Sequence, residues 1–290
     1  MAKLADGRGA GAPAGWRKTG GGDVADPVVR IAARAGRMML ENGSETNRVQ
    51  DTVNTLCLAL GMSEADSFAT PTGLMLTAVS PEGRSFSTVT RVTRRTIDLE
   101  KVTRVYQLAR RMGTRGGDRG VTIRGPDRGL DAGALHRELD RIEATRHYPD
   151  LVKVAVGAAT AGCCTLLFGG GWREALATLP VGALVKLLSI LLGKIRLNDF
   201  FINIMGGMLA AMLAFAAVAL GLAGRGDRVI IGSIMLLIPG ITMVNAIRDT
   251  IAGDLVAGIS RTVEALIVAV AIAIGTGLGV RLWSLLARGL

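Results

Sequence analysis

Apolar residues recur at helical spacing from Asp26-Pro27 onward. Val28, Ile31, Ala32, Ala35, Met38 and Met39 fall on one face until Asn42-Gly43 ends the run. Ser44 is placed to cap a second helix, whose stripe is Val49, Val53, Leu56, Cys57 and Leu60 and which stops at Gly61, giving an antiparallel pair. Short segments around Ser67 to Ala69, Leu74 to Ser80 and Ser85 to Val92 then suit strands, with Pro81-Glu82-Gly83-Arg84 as the turn between the last two. Asp98 opens a helix through Val102, Val105 and Leu108 to Met112. Thr114 to Gly129 is a charged, Gly-rich loop, and a last amphipathic helix covers about Ala132 to Arg146. Residues 26–148 therefore read as an α+β domain. Residues 1–25 lack periodicity and have the composition of a disordered tail.

From Leu151 the pattern changes to five apolar runs, about 151–169, 174–193, 200–223, 228–247 and 262–285. At about 1.5 Å per residue each can cross a hydrocarbon core of about 30 Å, so residues 149–290 read as an all-α polytopic membrane domain of five helices. The fourth run is interrupted. Pro239 removes a backbone donor, Gly240 allows close approach, and carbonyls near Ser233 to Leu236 lose partners where lipid offers no water. Freed backbone at that depth lines a cavity or binds substrate; a simple proline kink gives the same sequence.

Composition divides the chain the same way. Residues 1–150 hold 23 of the 34 Lys and Arg and 18 of the 24 Asp and Glu, and each half carries a net +5. The overall +10 is thus spread out, and no nucleic-acid motif accompanies it, so a DNA or RNA partner is not expected. Cys57, Cys163 and Cys164 lack metal-ligand spacing, and no nucleotide fingerprint or Ser/His/Asp arrangement appears; neither cofactor nor metal is expected. The histidines are His136 and His147. The amino terminus has no apolar h-region, so the soluble domain is expected to stay in the cytoplasm. Lys194, Arg196, Arg248 and Arg261 then fall inside with Arg146 and Lys153, against Arg173, Arg225, Arg228, Arg281 and Arg288 outside. Because that bias is weak, orientation rests on the large untranslocated domain.

Ionisable residues at membrane depth are candidates for function. Asn245, Arg248 and Asp249 close the fourth run, and Asp254, Arg261 and Glu264 follow. Arg248 suits a carboxylate, because a guanidinium makes two parallel hydrogen bonds, and Asp249 or Glu264 can take a coupling proton; interfacial loop charges give the same pattern. Lys186 lies about 12 Å of helix inside Lys194, too deep to snorkel easily. Asp199 and Asn203 either frame a mouth or serve a helix start. Ser44, Glu45 and Thr72 gather hydroxyls and charge in the soluble half, where capping and turn formation also explain them. Gly157, Ala161, Gly206, Gly207, Ala210, Ala211, Gly275, Gly277 and Gly279 allow close helix contacts.

Four segments, Glu41 to Val49, Thr70-Pro71-Thr72-Gly73, Thr96 to Val102 and Ile238 through Asp249, resemble in order and spacing the threonine/serine exporter family, over roughly residues 27–286. The resemblance implies a bacterial inner-membrane secondary transporter, not an enzyme, which exports small hydroxy amino acids. Its soluble amino-terminal domain would precede the membrane helices. Longer members look like two membrane modules in one chain. This chain carries one, and so resembles the larger partner of split versions that associate with a short all-membrane protein and are linked with dicarboxylate (succinate) export. A second-half subunit or a homo-oligomer is the expected partner. On this reading proton-motive force drives export as an antiporter. Pro239, Gly240, Asn245 and Arg248 hold the substrate carboxylate, and Asp249 or Glu264 couples the proton. A membrane-tethered enzyme or sensor working around Ser44, Glu45 and Thr72 is the alternative from another class.

Overall fold

The computed structural model describes residues 25–117, 132–145, 148–195 and 197–289. The expected tail, most of the Gly-rich loop, Arg146, His147 and Arg196 lie outside the described residues. The chain begins with α1 (Ala25–Glu41) and α2 (Thr46–Ala59), then β1 (Glu64–Thr70), β2 (Gly73–Val79) and β3 (Ser85–Arg91), then α3 (Leu99–Gly117) and α4 (Ala132–Glu143). The strands form an antiparallel sheet in the order β1-β2-β3, with Leu76 opposite both Ser67 and Thr88.

Alternation explains which sheet face is buried. Leu74, Leu76 and Ala78 point into a core built with Met39, Val49, Val53, Leu56 and Val105, while Met75 and Thr77 point out. Gly36 is fixed by packing, because a Cβ there would come within 2.6 Å of both Leu74 and Val53. The two expected helix stops occur at Gly43 and Gly61, with φ of +89° and +96°. Asp98 caps α3 by accepting from the Lys101 amide at 3.2 Å.

The remaining helices are α5 (Asp150–Leu167), α6 (Trp172–Lys194), α7 (Asp199–Ala219), α8 (Gly226–Ile234), α9 (Gly240–Ile251) and α10 (Leu255–Gly289). Four of these, α5, α6, α7 and α10, are long and apolar enough to cross a membrane. The expected fourth span is not a single helix. It divides into α8 of nine residues and α9 of twelve, and neither alone reaches about 30 Å. The expected fifth begins earlier, so that the start of α10 packs beside α9.

The glycine stripe is the seam between α7 and α10. A Cβ on Gly279 would lie 2.6 Å from the Met208 carbonyl, one on Gly207 would lie 2.9 Å from that of Ile272, and one on Gly275 would collide with the Ile204 carbonyl. Such contact brings two backbones together where side chains would hold them apart. Gly277, on the other face of α10, has open space around it.

Candidate functional site

Between Ile234 and Gly240 the backbone leaves the α-helical ladder. The amides of Leu236 and Leu237 turn back to the carbonyls of Ser233 and Ile234, at 3.4 and 2.9 Å. Two of the carbonyls expected to be free are therefore satisfied locally. Those of Met235, Leu236 and Leu237 accept no hydrogen bond among the described residues. Gly240 does not mediate a close approach, contrary to expectation, since a Cβ there would meet nothing within 4 Å. Its neighbourhood is open because it borders a cavity.

Three contacts fix the level of this break. Leu236 and the stem of Lys186 both lie about 3.1 Å from where a Cβ on Gly157 would sit, and Leu237 lies 3.0 Å from one on Gly206. Gly157 is seven residues into α5, Gly206 is seven into α7, and Lys186 is eight before the end of α6. At about 1.5 Å per residue all three put the break about 10–12 Å in from the helix ends nearest the α+β unit. Lys186 is half-buried there and has no hydrogen-bond or ion-pair partner among the described residues.

Beyond the break, α9 meets the turn between α1 and α2. The Asn245 side-chain amide donates to the Gly43 carbonyl at 2.9 Å, and Arg261 of α10 donates to the Ser44 carbonyl at 2.7 Å. Asp249 accepts from the Thr46 amide at 3.1 Å and from its hydroxyl at 2.9 Å, and that hydroxyl also lies 2.8 Å from Asp254. Ser44 was expected to cap α2. Its hydroxyl instead meets the Glu45 carbonyl at 3.3 Å, and the first amide of α2 is capped by Asp249 from 203 residues away. A carboxylate at that position satisfies an orphan donor and faces the positive end of the helix.

Asp249 and Arg261 are 1% and 8% exposed at their side chains, with Nε 3.0 Å from Oδ2. That N–H does not aim along the line between them, so charge rather than an aligned hydrogen bond holds the pair. Around it the ion pairs are exposed: Arg95 to Glu264 at 2.6 Å, and Glu45 between Arg48 at 2.9 Å and Arg248 at 3.3 Å. Arg48 also lies over the ring of Tyr106, 5.4 Å from its centre.

Two adjoining cavities open beside these charges. One, of about 260 Å³, runs from Ser44 and Glu45 to Gly240, Asn245 and Arg248. The other, of about 340 Å³, is bounded by Glu45, Arg48, Asp51, Tyr106 and Arg248. Their volumes border on the range usual for small-molecule sites.

Of the candidates read from sequence, Gly240, Asn245, Arg248, Asp249, Asp254, Ser44 and Glu45 thus meet at one interface, with Pro239 preceding α9 and Glu264 at its edge. Thr72 does not join them; it is exposed in the β1–β2 turn, with its hydroxyl 3.2 Å from that of Thr70. Asp199 and Asn203 contact each other locally at the start of α7. Thr46 and Arg48 lie in the Glu41 to Val49 segment but were not among its candidate residues, although Arg48 stands three residues after Glu45, a pairing distance on a helix.

Comparison with known proteins bears on this arrangement. The threonine/serine exporter family matches residues 30–283. The threonine/serine exporter of Corynebacterium glutamicum is 26% identical over 269 residues, which are 89% of this chain and 52% of that protein. A probable threonine/serine exporter of Mycobacterium tuberculosis is 24% identical, over 92% of this chain and 49% of its own length. A protein of Escherichia coli named a probable succinate transporter subunit, YjjP, is 23% identical over 89% of this chain and 95% of its own. The chain therefore spans about half the length of the two exporters and nearly all of the subunit's. No solved structure matches it. Four apolar helices and a family match over most of the chain make this a multi-pass membrane protein, and by that match the chain belongs to the threonine/serine exporter family.

Proposed function

We propose that the chain is one subunit of a secondary exporter of small hydroxy amino acids of the threonine/serine class. Its amino-terminal domain would lie in the cytoplasm, and the interface cavity would be its substrate site. The observation that carries this reading is the cavity between Glu45 and Gly240. It joins the soluble unit to a broken membrane helix and holds guanidiniums suited to a carboxylate. Arg248 takes the substrate carboxylate, assisted by the amino-terminal end of α9 after Pro239-Gly240, where the amides of Ile241 and Thr242 have no acceptor among the described residues. Asn245 spends its amide on Gly43 and keeps its oxygen for substrate.

Proton-motive force drives export as an antiporter, with Asp249 or Glu264 as the coupling acid. Asp249 is engaged by Thr46 and Arg261, which ties this acid to the α1–α2 turn. A second-half membrane subunit completes the assembly, in keeping with relatives twice as long as this chain and with relatives named as subunits. A second reading, export of a C4-dicarboxylate, has in its favour the near full-length match to YjjP.

The test is efflux of labelled threonine, serine and succinate from liposomes under an imposed pH gradient, with the purified chain alone and with its small membrane partner. Threonine or serine efflux supports the first reading. Succinate efflux alone moves the assignment to the second, and no efflux in either preparation refutes both.

A further inference from the structure

The charges lining the interface cavities are balanced, and the balance selects among carboxylate-bearing solutes. The cations facing the space are Arg48 and Arg248, and the anions are Glu45 and Asp51. Asp249 also borders it, but buried Arg261 offsets its charge. Glu45 is the central group. Its two oxygens are divided between two guanidiniums, Oε1 toward Arg48 and Oε2 toward Arg248, and its side chain is 17% exposed. Although it occupies the N-cap position of α2, it makes no capping bond; that service comes from Asp249. Glu45 is thus aimed at the cavity rather than at its own helix. Asp51, nearly two turns further along α2, is exposed and has no ion-pair partner among the described residues.

A guanidinium has five donors, and each of these arginines commits only part of its fork to Glu45. Both therefore keep donors for an incoming carboxylate, and Glu45 keeps lone pairs for a cation. A zwitterion placed with its carboxylate toward Arg48 and Arg248 and its ammonium toward Glu45 leaves the site neutral. A dicarboxylate would bring its second charge against Glu45 and Asp51, an unfavourable like-charge contact.

Resting on the reading of this cavity as the substrate site, we infer that Glu45 is the ammonium acceptor, that Asp51 assists it, and that the two acids make the site select α-amino acids over dicarboxylates and over hydroxy acids without an amino group. Half of the recognition then lies on α2 of the soluble unit. An analogue that lacks a hydrogen-bonding group leaves its partner in the site unmatched, which is the strong form of discrimination.

The test is equilibrium binding of labelled L-serine, 3-hydroxypropionate and succinate to the full chain in lipid nanodiscs, for wild type, Glu45→Gln, Asp51→Asn and Arg248→Ala. 3-Hydroxypropionate is serine without its ammonium. Wild type should bind serine at least about tenfold more tightly than either other probe. Glu45→Gln should remove that preference by weakening serine while leaving 3-hydroxypropionate within about threefold, and Asp51→Asn should reduce it partly. Protection of Cys57 from thiol reagents verifies that each variant is folded, since that side chain is wholly buried. A serine preference that survives Glu45→Gln overturns the assignment of Glu45 even if Arg248→Ala abolishes binding. Unchanged binding of all probes by Arg248→Ala overturns the site itself, and with it this inference. Wild type that prefers succinate, or that binds none of the three, also overturns it.

Discussion

Replacing Asp249 by alanine removes three contacts at once: the cap on the Thr46 amide, the bond from the Thr46 hydroxyl, and the ion pair with Arg261. Arg261 would remain buried with the Ser44 carbonyl as its hydrogen-bond acceptor and only the more distant carboxylates of Glu264 and Glu45 to offset its charge. Breaking a buried pair from one side costs about 3–5 kcal/mol, because the surviving charge is desolvated and uncompensated. The lost cap, worth roughly 1 kcal/mol by itself, belongs to the same cluster and does not simply add. A loss of about 4 kcal/mol is a factor on the order of a thousand in the equilibrium between docked and undocked turn. Amide hydrogen exchange at the first turn of α2 reads it directly. Exchange there should accelerate by that factor, or to the unprotected rate if docking is weaker. Glu264→Gln serves as the contrast, because its pair with Arg95 is about 40% exposed on both sides and should contribute no more than about 1 kcal/mol. Exchange within a few-fold of wild type in Asp249→Ala, or equal acceleration in Glu264→Gln, would refute the view that Asp249 and Arg261 hold the α1–α2 turn against α9 and α10.

Burial holds the Glu41 carboxyl above its ordinary range, against the opposing effect of Arg37. A raised native value means that the folded state favours the protonated acid. The associated stability is present below the usual glutamate value and is lost as pH rises through the native one, so Glu41→Gln should stabilise the fold at pH 7 and have no effect near pH 3 in urea titrations. Burial pushes the Cys57 thiol up to about 12, so in a Cys163→Ser, Cys164→Ser background iodoacetamide at pH 8 should modify Cys57 only when the α+β unit unfolds, and rapid labelling of native protein would contradict the packing. Gly275→Leu should wedge α10 away from α7 and lower the thermal midpoint by several degrees, whereas Gly277→Leu should leave it unchanged.

Much of the architecture is written locally. The stripe from Val28 to Met39, the stop at Gly43 and the turn at Pro81 to Arg84 each depend on neighbours within a few residues, and each occurs where the pattern puts it. Pro239 likewise announces an interruption. Hydropathy could not say that the interrupted run forms two half-helices, because Ile234, Met235, Leu236 and Leu237 are apolar whether or not they are helical. The cap on α2 was illegible for a different reason. Ser44 is the residue that local rules favour, and it was displaced by a carboxylate 203 residues away whose partner Arg261 is fixed by the packing of α10. The site candidates were visible as charges in costly places. Their meeting at one interface was not, because no local pattern links Glu45 to Arg248.

Under the proposed function, this interface is where substrate is held during export. Its most direct test is serine and threonine efflux from proteoliposomes containing wild type, Arg248→Ala or Arg95→Ala at equal protein abundance, with the membrane partner present. Loss of most efflux in Arg248→Ala, with Arg95→Ala close to wild type, is the predicted result. Efflux by Arg248→Ala equal to wild type would contradict the account.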